Sequence, residues 1–144
     1  MLKKMKANQV VNGSFGSLWI DNEKLSNIKS FEAKVELNYE EVNIAEDLGT
    51  HQKLMGYAGS GTMTLHKVDS FVLKKMKDGL AKGIIPEIMM VAKVEDPASI
   101  GAERVQLNEV TFDEFTLMKF EQKTIGEEEV PFKFASFTPL DLME

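Results

Sequence analysis

The sequence predicts a mainly β protein: a small antiparallel β-sandwich or barrel with one flanking α-helix and a long loop. Three observations carry this expectation. Phe31, Ala33, Val35, Leu37 and Tyr39 alternate with Glu32, Lys34, Glu36 and Asn38, the period of a half-buried antiparallel strand. Similar short alternations recur around Met63 and Leu65 and from Val130 to Phe134. A single stretch, near residues 69–82, has helical period instead.

The elements follow in chain order. Residues 1–14 form an N-terminal arm, basic at Lys3, Lys4 and Lys6, with no apolar signal core behind those lysines. Gly16 to Ile20 and Leu25 to Ile28 flank Asp21-Asn22-Glu23, and Asp and Asn tolerate turn geometry, so a hairpin is expected. The alternating strand from Phe31 comes next. Residues 40–60 have no strong period and read as a long loop, with 40–57 expected to be disordered in the free chain and ordered on assembly. Apolar Val42, Ile44, Leu54, Met55 and Tyr57 lie in or beside it and need a partner to bury them.

In the helical stretch, Val72, Leu73, Met76 and Leu80 fall within an arc of about 100° on a helical wheel. Asp69 or Ser70 is placed to cap its start, and Gly83 sits where a C′ residue belongs. Gly79 weakens its last turn by about 1 kcal/mol relative to Ala. Residues 95–102 read as a hairpin loop. Residues 103–119 look strand-like, but the apolar phase moves from odd (Val105, Leu107) to even (Val110, Phe112) and back (Phe115, Leu117). That pattern calls for a bulge near Asn108-Glu109 and a second break near Asp113-Glu114. Pro131 lacks an N–H, so the last strand either begins at an edge or leaves that side unpaired. Met63, Met76 and Met118 read as core filler.

Composition narrows the function. The chain has 144 residues, no cysteine and two histidines. Disulfides, thiolate zinc sites and Cys nucleophiles are excluded. The longest apolar runs are too short to span a membrane as a helix. Acids outnumber bases 23 to 17, and Arg104 is the sole arginine. Residues 20–48 carry a net charge of −5 and residues 84–129 of −7, counted from the sequence. Nucleic-acid grooves need a basic stripe, often with arginine forks, and none is present.

No catalytic constellation emerges. Gly56-Tyr57-Ala58-Gly59-Ser60-Gly61 lacks the Gly-Lys-Ser/Thr ending of a phosphate loop and precedes a strand, so no helix N-terminus waits for an anion. His51 and His66 are isolated in sequence, and no serine lies in Gly-x-Ser-x-Gly. Glu127-Glu128-Glu129 is read as a solvated strand entrance rather than a carboxylate pair for sugar chemistry. Glu95, Asp96 and Glu103 lack EF-hand spacing. No catalytic, cofactor or metal residue is assigned; a structural or binding protein remains.

Five segments in order then resemble one family. They are Gly16 to Glu23, Ile28 to Ala33, Gly56 to Val68, Glu103 to Asp113, and Glu127 to Phe134 with Phe137. Together they are similar to the tail tube protein of contractile phage tails, of the type found in PBSX-like defective prophages and tail-derived bacteriocins. The resemblance implies one tube domain over residues 1–144, six copies per ring, and rings stacked into a hollow tube inside a contractile sheath. It implies sheath, baseplate and tail-terminator proteins as partners, no cofactor and no stable membrane insertion. DNA would pass non-specifically or not at all. Assembly would occur in the bacterial cytoplasm, and the product would belong to a phage tail or a released bacteriocin particle.

On that reading Val42, Ile44, Leu54, Met55 and Tyr57 are candidate subunit or ring contacts, and Glu32 and Glu36 are candidate lumen-facing acids. A tube protein of a related contractile secretion system is the near alternative. A monomeric ligand-binding β-barrel is an alternative of another class, supported by the methionines and aromatics.

Overall fold

The computed structural model describes residues 4–143. Its elements are β1 (Gly16–Ile20), β2 (Glu23–Lys24), β3 (Ile28–Asn43), β4 (Thr50–His66), α1 (Phe71–Lys82), β5 (Ile88–Glu95), β6 (Ala102–Phe112), β7 (Glu127–Phe134) and β8 (Ser136–Asp141). Every strand pairing is antiparallel. The strand order is β2-β1-β5-β6-β7-β4-β3, with β8 added on β6. The path turns at β6, which pairs with β5 and β8 along its first part and with β7 through Thr111 and Phe112. Two sheets therefore face each other as a sandwich, and β3 is left as a free edge.

The core lies between the sheets. Leu18, Ile20, Met90 and Leu107 come from one sheet and Met63, Leu65, Val130, Phe132 and Phe134 from the other. On β7 the alternation is complete: residues 128, 130, 132 and 134 are buried. Helix α1 adds Val72 and Met76 to the same core.

Local chemistry explains the turns. Asp21 and Asn22 adopt φ of 50° and 68°, the left-handed geometry that a two-residue hairpin needs and that Asp and Asn tolerate. Glu109 has φ 52°, and the β5–β6 register slips between Ile88 and Met90 opposite it. This is the expected bulge, and it moves burial from Leu107 to Val110 and Phe112. The second break also occurs, because β6 ends at Phe112. Phe115 still packs on the core, whereas Leu117 is exposed. Asp113 N–H donates to the Pro131 carbonyl. A residue's N–H and C=O point to one side of its strand, so the missing Pro131 N–H faces the side where the β6–β7 ladder has ended.

Four expectations need correction. Residues 40–60 are not a long loop: all but the turn at 44–49 belong to β3 and β4, strands of 16 and 17 residues. The period is masked by Met55, an extra residue where the register shifts between Asn38 and Tyr39. The long irregular segment is 113–126 instead. Met118 belongs to that segment and is exposed rather than core. Leu80 is also exposed, because only the first turns of α1 reach the core. Gly79 is a requirement rather than a weakness. A Cβ there would overlap the Ile84 carbonyl, since the chain folds back after Gly83 (φ 73°) and Ile84 N–H donates to Gly79 O.

The N-terminal arm falls outside the described residues at positions 1–3. Its remainder forms two short 3-10 turns, Ala7–Gln9 and Gly13–Phe15. Asp96 anchors it. This buried carboxylate accepts the Asn12 and Ala98 N–H groups, each at 2.9 Å.

Candidate functional site

The β3–β4 hairpin outruns the sandwich. β7 covers β4 only as far as the Gly59–Phe134 pair. Beyond it, nine further residues of β4 lead to Thr50, about 30 Å at 3.3 Å per residue. Directly opposed residues share a face of an antiparallel pair. Leu37 with Tyr57 and Tyr39 with Leu54 therefore continue the face that carries Phe31 and Val35 toward the core. Tyr57 meets the other sheet only at its end, edge-on to Phe137 of β8 with ring centroids 6.2 Å apart, and all four side chains are about half exposed.

All five candidate contact residues lie on this arm, though not on one face. Leu54 and Tyr57 sit on the core-side face, Met55 is the extra residue of the bulge, Val42 pairs with His51 on the opposite face, and Ile44 is in the turn. The turn is built by its own side chains. Asp47 accepts from the Gly49 N–H at 2.8 Å and lies 2.7 Å from His51 Nε2. The Gly49 N–H, then the His51 hydrogen bond, hold the Asp47 carboxyl below its usual value. Leu48 projects from the tip fully into solvent.

The glycine-rich segment has a packing explanation. Gly59 and Gly61 pair with Phe134 and Phe132. A Cβ on Gly59 would overlap the Phe134 ring, and one on Gly61 would overlap Phe132 and the Glu32 carbonyl. The aromatic rings fill the space that side chains on β4 would take. Phe31 stacks on Phe132 at 5.7 Å. This sequence signal is a core device, not an anion loop.

Glu32 and Glu36 occupy the solvent face of the same sheet, as the alternation required. Register places Glu32 beside Thr62 and Pro131, Lys34 beside Ser60 and Lys133, and Glu36 beside Ala58. Glu40, Lys53, Glu127 and Glu129 share this face. It is mixed, five acids with three lysines, so most of the chain's excess acid lies elsewhere. Glu128 differs from its neighbours: it is buried on the core side, 3.6 Å from Lys67.

Between the sheets, Phe31, Val35, Val94, Val105, Phe134 and Phe137 line a cleft of about 440 Å³. Residues 31–35 of β3 form one of its walls, and the described strands do not close around it as a barrel. Among the described residues no group of three acids or histidines could hold a metal ion. Among the described residues no helix is long and apolar enough to cross a membrane.

Sequence reasoning missed one surface. Leu117, Met118, Phe120 and Ile125 in segment 113–126 are each at least 70% exposed. Their lack of a common period was the available signal, obscured by reading 103–119 as one strand.

Comparison with known proteins places these surfaces in context. The phage tail tube protein family matches residues 3–141. The phage-like element PBSX protein XkdM of Bacillus subtilis is 39% identical over 135 residues, 92% of each chain. A solved Bacillus subtilis protein is 36% identical, with a TM-score of 0.52 over 94% of this chain and 98% of that one. A chain of the sheath–tube complex of an extracellular contractile injection system has a TM-score of 0.74, covering 96% of this chain and all of that one, at 7% identity. At that identity the likeness concerns the fold alone.

Proposed function

The chain belongs to the phage tail tube protein family, and from this we propose that six copies close into a ring and that rings stack into the inner tube of a contractile particle. One observation carries the proposal: a folded sandwich extends an exposed hairpin arm whose apolar face continues its own core. A surface of that kind is satisfied by a second copy. The free edge of β3 adds to this demand, because unpaired strand edges template further pairing, and ring closure removes them. The role is structural and draws on no catalytic group or cofactor.

The solvent face of the β3–β4–β7 sheet is the proposed lumen wall, with Glu32 and Glu36 on it. Its mixed acids and lysines offer a polyanion neither a basic track nor an apolar one, so DNA slides or is absent. The contacts proposed at Val42, Ile44, Leu54, Met55 and Tyr57 split between the two faces of the arm, which suits an arm wedged between neighbours. A sheath outside the tube, a terminator at its end and a baseplate beneath it are the proposed partners. The structural relatives include a sheath–tube complex, a sheath and tube terminator, and a baseplate. Assembly in the bacterial cytoplasm follows from the same reading.

Negative-stain electron microscopy of the purified chain at rising concentration tests this. Six-fold rings or tubes are expected, either spontaneously or after seeding with baseplate components. A chain that stays monomeric under both conditions refutes the proposal.

A further inference from the structure

We infer that the irregular segment 113–126 is the receptor for the hairpin arm of a second copy, in a head-to-tail contact between successive rings. The inference rests on the tube reading and adds a partner surface to it.

The first observation is position. β7 begins where Glu127 pairs with His66, and Lys67 N–H donates to the Gly126 carbonyl. Segment 113–126 therefore sits at the His66 end of β4. The arm's turn sits beyond Thr50, at the other end. Those ends are about 50 Å apart at 3.3 Å per residue. One copy cannot close its arm onto its own segment 113–126, but two copies in line can.

The second observation is unmet apolar surface at both ends. Leu37, Tyr39, Leu48 and Leu54 are exposed on the arm, and Leu117, Met118, Phe120 and Ile125 on segment 113–126. Two exposed large apolar clusters on a small chain mark interaction surfaces.

Charge is the third. Residues 36–57 carry five acids (Glu36, Glu40, Glu41, Glu46, Asp47) against Lys53. Among the described residues none of those acids pairs with a lysine or arginine, and Asp47 alone has a side-chain partner, His51 at 2.7 Å. At the receiving end Lys119 and Lys123 form no ion pair among the described residues, and Lys67 is held only loosely by Glu128 at 3.6 Å. Asp113 and Glu127 are already neutralised by Lys133 and Lys29, which leaves Glu114 and Glu121 as the remaining acids of the segment. An acidic apolar arm and a lysine-bearing apolar receptor complement each other. A contact between different surfaces of identical copies does not close on itself along this direction, so it repeats into a filament.

The cysteine-free chain makes the test clean. Leu48→Cys with Phe120→Cys, assembled and then oxidised, should give a ladder of disulfide-linked oligomers, while each single variant stops at dimers or below. Charge reversal supplies a second readout. Lys119→Glu with Lys123→Glu should raise the critical concentration for tube formation at least about tenfold. Adding Glu41→Lys and Glu46→Lys should restore it. Tubes that form normally with no ladder, or a charge reversal without effect or without rescue, overturn the receptor assignment and leave the tube reading standing. An unmodified chain that forms neither rings nor tubes overturns both.

Discussion

The two halves of the β3–β4 hairpin carry the same alternation into different surroundings. From Ile28 to Val35 the odd-numbered face lies over Phe132 and Phe134, and Phe31 and Val35 pack on the core. From Leu37 to Asn43 the alternation continues through Tyr39, but the side chains are about half exposed and the other sheet reaches only Tyr57, through Phe137. The covered half stabilises the monomer. On the proposed reading, the uncovered half contributes little to folding and offers its surface to another copy. Arm and body are one pair of strands, so a contact at the tip is mechanically continuous with the core.

The sharpest way to break this comparison is to damage the body alone. Phe132→Ala removes the ring that fills the space over Gly61 and stacks on Phe31, and should destabilise the monomer by about 3–5 kcal/mol in urea unfolding. Gly61→Ala forces a Cβ into Phe132 and the Glu32 backbone and should cost about 1–3 kcal/mol. Gly56, on the arm, has nothing within 4 Å of an added Cβ. Gly56→Ala should be neutral or stabilising by up to about 1 kcal/mol. Equal losses at Gly56 and Gly61 would mean that arm and body are packed alike.

Polar substitution of the arm should give the converse result. Leu37→Ser, Tyr39→Ser and Leu54→Ser are each expected to shift monomer unfolding by no more than about 0.5 kcal/mol, the range of surface changes. The triple variant should remain folded by circular dichroism and fail to form tubes by electron microscopy. A triple variant that assembles normally would remove the arm from the interface.

Much of this division was legible in the sequence, and the reasons differ by element. The Asp21-Asn22 turn, the Asn108-Glu109 bulge and the αL glycine at 83 follow from local backbone chemistry, so nearby residues suffice to place them. Family membership was legible because five separated segments agreed in order. The arm was not. One inserted residue, Met55, disrupts the alternation on β4, and the turn at 44–49 adds six residues without period. The exposure of Leu80 and Met118 was hidden too, because periodicity shows which residues share a face but not whether anything covers it. Buried Asp96 was hidden for a related reason: its partners are backbone N–H groups, one of them 84 positions away.

The smallest expected effect separates one carboxylate of the body from one of the arm. Asp21 ties the β1–β2 turn to the rest of the body: it accepts from Lys75 Nζ on α1 at 2.7 Å and from the Met89 N–H at 3.0 Å. Burial alone would raise its pKa. The Lys75 hydrogen bond, the Met89 N–H and the Lys75 charge outweigh that, so the carboxyl lies below its ordinary value of 3.8. A depressed pKa in the folded state contributes stability that is present above the unfolded value and lost as pH falls through the folded one. Asp21→Asn should therefore lower the urea midpoint by a constant amount from pH 7 to pH 5, and the deficit should shrink below about pH 4. With the Asp21 side chain 36% exposed, solvent screening keeps the effect within about 0–1 kcal/mol. Asp47 is also depressed, but its Gly49 and His51 partners lie within the exposed turn of the arm. Asp47→Asn should leave the global midpoint unchanged at every pH and instead speed amide exchange at residues 44–51. If Asp47→Asn moves the midpoint as far as Asp21→Asn does, the arm unfolds together with the core, and the two halves of the hairpin are one cooperative unit rather than two.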